Sequence, residues 1–413
     1  MPYPFALPTT SSFSFSSSFD CDSHPSLPIN SSTYRGVAKD ALKKHKRLPP
    51  SAQMGNMPTI ISSINAYIPY LYAVAAGLHD QHLPTGSRIS VTPKGAMGIK
   101  WRPTLSGDLV PGRDRARVRA ASIDHEISFV MSALAFAHVL SARASLQPLY
   151  STSGEFLGAG ERTVAITTAT KALLESAAIF THLAQRGERV LENPPSVDIA
   201  PTTIRALAAL SYAEATLLAV LKDDPYPAAV AQDRNKNDKE WMFKSPEIPK
   251  VRAHLFARLC LEASEHAARA ASLAQPNGQG PTNKIDTRLT RYIEDFRRTS
   301  KAKACRFLGI DAELGGETAD GIGWLRAGLA ELGVDVKDSK KGLSLSRFKK
   351  ELSERMEDRR VDKETAWGAD AGKLEEIRVI EMLDEKWNKI NDTVSAIRKP
   401  MIVCFPSLTC STR

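Results

Sequence analysis

The stretch PKVRAHLFARLCLEASEHAARAASLA (249–274) decides the fold class. At 3.6 residues per turn it places Ala253, Phe256, Cys260, Ala263, Ala267, Ala270 and Ala274 on one face. A row that small and apolar suits close packing against a neighbouring helix. Leu255 and Leu259 lie four residues apart on a separate stripe, about a quarter turn away. They flank a helix that already has a core face.

Working outward, helix follows helix. Three long segments, at roughly 115–147, 162–186 and 202–222, are Ala-rich with Leu, Ile and Phe on more than one side. Helices apolar over so wide an arc are buried by two neighbours, as in stacked hairpins. Earlier, STYRGVAKDALKKHKR (32–47) reads as a helix capped by Ser32 or Thr33 and ended by Pro49–Pro50. TIISSINAYIPYLYAVAAGLHD (59–80) carries Ile60, Ile64, Tyr67, Leu71, Val74 and Leu78 on one stripe, with a kink expected at Pro69. Alternation in SSFSFSSSF (11–19) is a strand signal, so one or two short strands are expected in the first 30 residues. The stretch 85–107 is broken by Gly and Pro and reads as a connection or hairpin. A polar loop spans 223–249.

After 274 come a helical hairpin (287–333) and two further helices, at 344–360 and 373–397. The last repeats Leu374, Ile377, Ile380, Leu383, Trp387, Ile390, Val394 and Ile397 at steps of three and four. One all-α domain is therefore expected over 1–397, with a strand-like segment at 1–33 and helices over 34–397. A disordered tail is expected at 398–413, because Pro400 and Pro406 cannot extend the last helix.

The chain has 413 residues, 42% hydrophobic and 24% charged, with a formal charge of +9. That charge is modest for the length, and with no nucleic-acid motif, no nucleic-acid partner is expected. Cys21, Cys260, Cys305, Cys404 and Cys410 are scattered and odd in number, which fits reduced thiols in a cytosolic chain. The opening MPYPFALPTT lacks the pattern of a secretory signal. The apolar window 204–221 contains Arg205 and Glu214 and suits a core better than a membrane.

Catalytic signatures are missing: there is no GxxxxGK[ST], GxSxG or HExxH. GAGERT (158–163) lacks the third glycine of a dinucleotide loop and reads as a helix start. His79 and His82, in HDQH, have HxxH spacing but no evident third ligand. His125, His138, His182, His254 and His266 read as core or interface positions. No catalytic residue, metal or cofactor is expected. In PGRDRARVRA (111–120), Arg113 with Arg117 and Arg115 with Arg119 form i,i+4 pairs if a helix starts at Gly112. That basic flank suits phosphoinositide headgroups or an acidic partner segment. The plainer reading is a solvated helix start, partly neutralised by Asp114 and Asp124.

The helices 121–143 (ASIDHEISFVMSALAFAHVLSAR), 161–186 (ERTVAITTATKALLESAAIFTHLAQR) and 194–222 (PPSVDIAPTTIRALAALSYAEATLLAVLK) resemble successive helices of the Bro-type (ALIX-like) domain family. SVDIAP and AEAT match in register, as does Trp101 before the first long helix. The segments 3–19, 27–51 and 364–393 are similar to a fungal branch of that family acting in ambient-pH signalling, and the resemblance covers about 1–393. It implies an elongated, curved, mostly α-helical domain with a TPR-like core and a small β element near the N-terminus. It implies no catalysis, and a scaffold that binds the C-terminal amphipathic helix of the Snf/CHMP-type subunit of ESCRT-III. It further implies a link from the plasma-membrane pH-sensor complex to ESCRT-III, upstream of proteolytic activation of the transcription factor PacC. Such a protein is cytoplasmic and reaches plasma or endosomal membranes through its partners.

The family's groove uses two aliphatic residues, i and i+4, which fall here on Leu255 and Leu259. The preceding helix supplies an aromatic residue whose match is Ala219, leaving that end shallow unless Leu218 or Val220 fills it. The competing readings are a peripheral membrane-binding protein in endosomal sorting, acting through the arginine flank and 340–350, and a zinc-dependent or hydrolytic enzyme.

Overall fold

The small apolar row of the 249–274 stretch is buried at every position, from Ala253 to Ala274. This computed structural model describes residues 2–81, 86, 88–107, 114–150, 158–190, 193–227, 248–275, 284–334, 356, 360 and 367–394. The helices are α1 (Phe15–Ser18), α2 (Leu27–Arg47), α3 (Pro50–Gln53), α4 (Met57–Leu78), α5 (Ile123–Leu146), α6 (Ala159–Val190) and α7 (Pro201–Asp223). They continue as α8 (Lys250–Leu273), α9 (Thr287–Leu314), α10 (Thr318–Glu331) and α11 (Lys373–Val394).

Packing follows chain order. Helix α2 lies on α4, α4 on α5, and each helix from α5 to α10 on the next, while α11 folds back onto α10 and α9. Small residues allow the close approach: a Cβ on Gly309 of α9 would come within 3.0 Å of the Gly321 carbonyl oxygen of α10. Such nearest-neighbour stacking buries each helix on two sides. In Ile123–Leu149 and Pro201–Asp223, long and apolar enough to span a bilayer by composition, 78% and 72% of the apolar window is buried in the fold.

The strands are β1 (Thr9–Thr10), β2 (Phe19–Asp20), β3 (Thr92–Pro93), β4 (Ile99–Arg102) and β5 (Val118–Ala120). They form an antiparallel three-stranded sheet, β1-β4-β5, and an antiparallel pair, β2-β3. Trp101 on β4 is buried, stacks on Phe129 at 5.3 Å and donates its indole N–H to Glu126. Glu126 also accepts from Arg35 Nε at 2.9 Å, which ties α2 and the sheet to α5.

Several sequence expectations need correction. Helix α2 starts at Leu27, not at Ser32 or Thr33, with Pro28 in its first turn. Proline fits there because that turn's N–H groups have no helical partner. The Ser32 hydroxyl accepts the Phe15 N–H at 2.8 Å and so holds α1 instead. Within SSFSFSSSF, Phe15–Ser18 is a helical turn rather than strand. Helix α5 starts at Ile123, where the Ser122 hydroxyl accepts the His125 N–H at 3.2 Å. The preceding VRA is strand β5, so Arg115, Arg117 and Arg119 do not stand on a helix.

Arg113, His82, 340–350, most of 344–360 and of the 223–249 loop, and the 398–413 tail lie outside the described residues.

Candidate partner-binding site

Helix α8 presents two faces of opposite character. Phe256 is 4% exposed, whereas its neighbour Leu255 is 50% exposed. One turn earlier Val251 is exposed, and one turn later Leu259 is half-buried against the core shared by α8, α9 and α11. Val251, Leu255 and Leu259 thus make an apolar row at i, i+4 and i+8, open to solvent at its start and seated on the core at its end.

Helix α7 forms the other wall. Ala213 shares one core with Ala267, and Val220 shares the second with Ala253 and Phe256, so α7 and α8 run antiparallel. The Tyr212 and His266 rings, with centroids 6.0 Å apart, set the register. Seven residues onward from Tyr212 is Ala219, and seven back from His266 is Leu259, which puts each on the face of its helix that carries this ring contact. Ala219 is exposed, while Leu218 and Val220 are buried. Leu218 and Val220 are turned into the core, so the Ala219 end stays shallow. Around the strip Arg252, His254 and Arg258 are exposed near the start of α8, and Glu262 and Glu265 farther along it. The arrangement is one of shape and charge, with an apolar strip grading from basic to acidic surroundings.

A buried ionic cluster fixes the strip from below. Asp224, just after α7, receives Arg306 Nη2 of α9 at 2.6 Å, and Arg306 Nε reaches Glu376 of α11 at 2.7 Å. Lys303 also pairs with Glu376. Burial opposes the charge on Glu376, but Arg306 and Lys303 outweigh it and hold its carboxyl below the ordinary range. A further buried carboxylate, Glu214 in the AEAT motif of α7, accepts Tyr292 Oη at 2.6 Å and the Tyr3 N–H at 3.0 Å. Burial pushes its pKa up to about 7. Cys260, behind the strip, has its thiol pushed up to about 12 by burial, which makes it a packing group rather than a nucleophile. Cys21, Cys260 and Cys305 are all free and buried.

The other sequence candidates lie elsewhere. Arg115 pairs with Asp286 at 2.7 Å and donates to the Ser106 carbonyl. Arg117 donates to the Lys100 carbonyl and Arg119 to that of Met97. These three brace the β4 and β5 region rather than standing free. His79 meets Asp124 at 3.1 Å, and Arg186 holds the same carboxylate.

No protein-family model matches the chain. It is 39% identical over 426 residues to the pH-response regulator protein palC of Emericella nidulans, a match covering 96% of this chain and 84% of that protein. Among solved structures, a crystal structure of ALIX with the SIVmac239 PYKEVTEDL late domain aligns with a TM-score of 0.52 at 12% identity. That alignment covers 94% of this chain and 45% of that one, so the chain spans less than half of that ALIX chain. A complex of the ALIX BRO1 domain with CHMP4C aligns over 95% of this chain and 88% of that one, with a TM-score of 0.48 at 13% identity. The mostly helical architecture with its small N-terminal sheet is thus ALIX-like. With identity of this level along nearly its whole length, the chain belongs to the palC family of pH-response regulators.

Proposed function

We propose that the chain is a non-catalytic adaptor that joins the plasma-membrane alkaline-pH sensor complex to ESCRT-III, allowing a separate protease to activate PacC. It seats the C-terminal amphipathic helix of a Snf/CHMP-type subunit on the strip made by Leu255, Leu259 and Ala219, with Val251 extending it. The observation that carries this reading is Leu255, half exposed about a quarter turn from a face of the same helix that is fully buried. A leucine left in water beside a second, i+4 leucine gives an incoming helix its central anchor. Membership of the palC family supports the pH-response role, and the Bro-type resemblance of the sequence supports the ESCRT-III partner.

Contact with these partners brings the adaptor to the plasma or endosomal membrane. Titration of the purified chain with the Snf/CHMP-type C-terminal helix tests the contact. Incubation with PacC, which should stay intact, tests the absence of catalysis.

A further inference from the structure

Helix α2 turns one row to solvent along its length: Ile29, Thr33, Val37, Asp40, Lys44 and Arg47, at steps of three and four. The row spans about 27 Å at 1.5 Å per residue. Its first half is aliphatic, with Ile29 59% and Val37 53% exposed. Its second half is cationic, with Lys43 beside Lys44 and Arg47, and these three line one open depression with Asp40 and Leu48. The opposite face, including Leu27, Arg35, Ala38 and Leu42, is buried, so the orientation of the row is fixed.

Neighbouring cations have partners. Lys39 meets Asp40 at 3.1 Å, and Lys46 and Arg102 share Asp114. Lys43, Lys44 and Arg47 have no carboxylate partner among the described residues. A helix C-terminus favours cations through its dipole, which explains a basic last turn. It does not explain two exposed aliphatic side chains in the same row.

We infer that this face of α2 docks on an anionic lipid bilayer. Lys43, Lys44 and Arg47 meet headgroup phosphates while Ile29 and Val37 enter the interfacial layer, as an in-plane amphipathic helix does. A nucleic-acid backbone or a soluble polyphosphate would cover the cations and leave both aliphatic side chains in water. In packing order α2 is separated from α8 by α4, α5, α6 and α7. A bilayer on α2 therefore leaves the α7–α8 strip open to a helix.

Flotation of the full chain with phosphatidylcholine vesicles, with and without phosphatidylserine, tests this. The chain should float only with phosphatidylserine, less so as salt rises. Lys43→Glu/Lys44→Glu/Arg47→Glu should lower binding at least about tenfold, and Ile29→Ser/Val37→Ser severalfold at unchanged charge, both with wild-type circular dichroism. Should the charge reversal disturb the helix, Lys43→Gln/Lys44→Gln/Arg47→Gln repeats the comparison with polar side chains of neutral charge. No flotation with phosphatidylserine overturns the inference, as does equal flotation of wild type and variants. Binding of inositol hexakisphosphate or duplex DNA without flotation overturns it too, by assigning the cations to a soluble polyanion.

Discussion

The Phe256 ring of α8 meets the Phe307 ring of α9 edge-on, with centroids 5.3 Å apart. The contact commits that face of α8 to the core and turns Leu255 outward. Phe256→Asp should therefore place an unpaired carboxylate among apolar side chains and unfold the domain, a cost of several kcal/mol, on the order of 2–7. Circular dichroism and urea denaturation check this, and a folded Phe256→Asp protein of wild-type stability would contradict it.

Arg306 holds two carboxylates from different helix ends, Asp224 and Glu376, all fully buried. Arg306→Ala leaves Asp224 without its guanidinium and Glu376 with Lys303 alone. Breaking a buried ionic cluster in this way costs roughly 3–5 kcal/mol. Urea midpoints measure the loss, and a change below about 1 kcal/mol would show that the cluster contributes little.

Glu214 makes stability depend on pH in a direction opposite to that of a salt-bridged carboxylate. Burial raises its folded pKa from 4.5 to about 7. At low pH both folded and unfolded states hold the proton and there is no penalty. As pH rises through this interval the unfolded chain releases the proton first, so stability falls, by about 3 kcal/mol in total. Glu214→Gln keeps an acceptor for Tyr292 and the Tyr3 N–H but cannot ionise. Its stability relative to wild type should grow between pH 4.5 and pH 8 in urea titrations. A constant difference across that range would contradict the assignment.

Much of the helical order is legible from periodicity, and the reasons for the misses are local. The α8 row is a clean 3.6-residue pattern bounded by Pro249, and Pro201 likewise opens α7. The start of α5 is harder, because RARVRA (115–120) alternates with the strand period while its arginines also sit at i,i+4. Strand β5 wins through pairing with β4, outside the window in which RARVRA is read. Pro28 looks like a breaker yet fits a first turn. For the site, the i,i+4 leucines are visible in sequence. The burial of Leu218 and Val220 is not, since it depends on which helices cover α7. The Asp224–Arg306–Glu376 cluster joins residues 82 and 70 positions apart, and no local pattern announces it.

Ala219 marks the shallow end of the strip, exposed on the face of α7 that carries Tyr212. Ala219→Phe should add an apolar contact for a docked helix without disturbing the core. A partly buried ring is worth roughly 1.5 kcal/mol, or about tenfold in affinity. Tighter binding of the Snf/CHMP-type helix at unchanged melting temperature is the expected result. Unchanged affinity would place the bound helix away from this end.

The central claim concerns Leu255, and one titration tests it. Leu255→Asp puts a carboxylate on the strip where an apolar anchor should dock, while the half-exposed position can keep it hydrated in the free protein. Leu259→Asp acts at the same strip but also touches the core, so Leu255 is the cleaner site. Binding of the Snf/CHMP-type C-terminal helix to wild type and to Leu255→Asp, measured by calorimetry beside circular dichroism, should show at least about tenfold weaker binding with full helical content retained. Wild-type affinity in a folded Leu255→Asp protein, or collapse of its helical signal, would contradict the account.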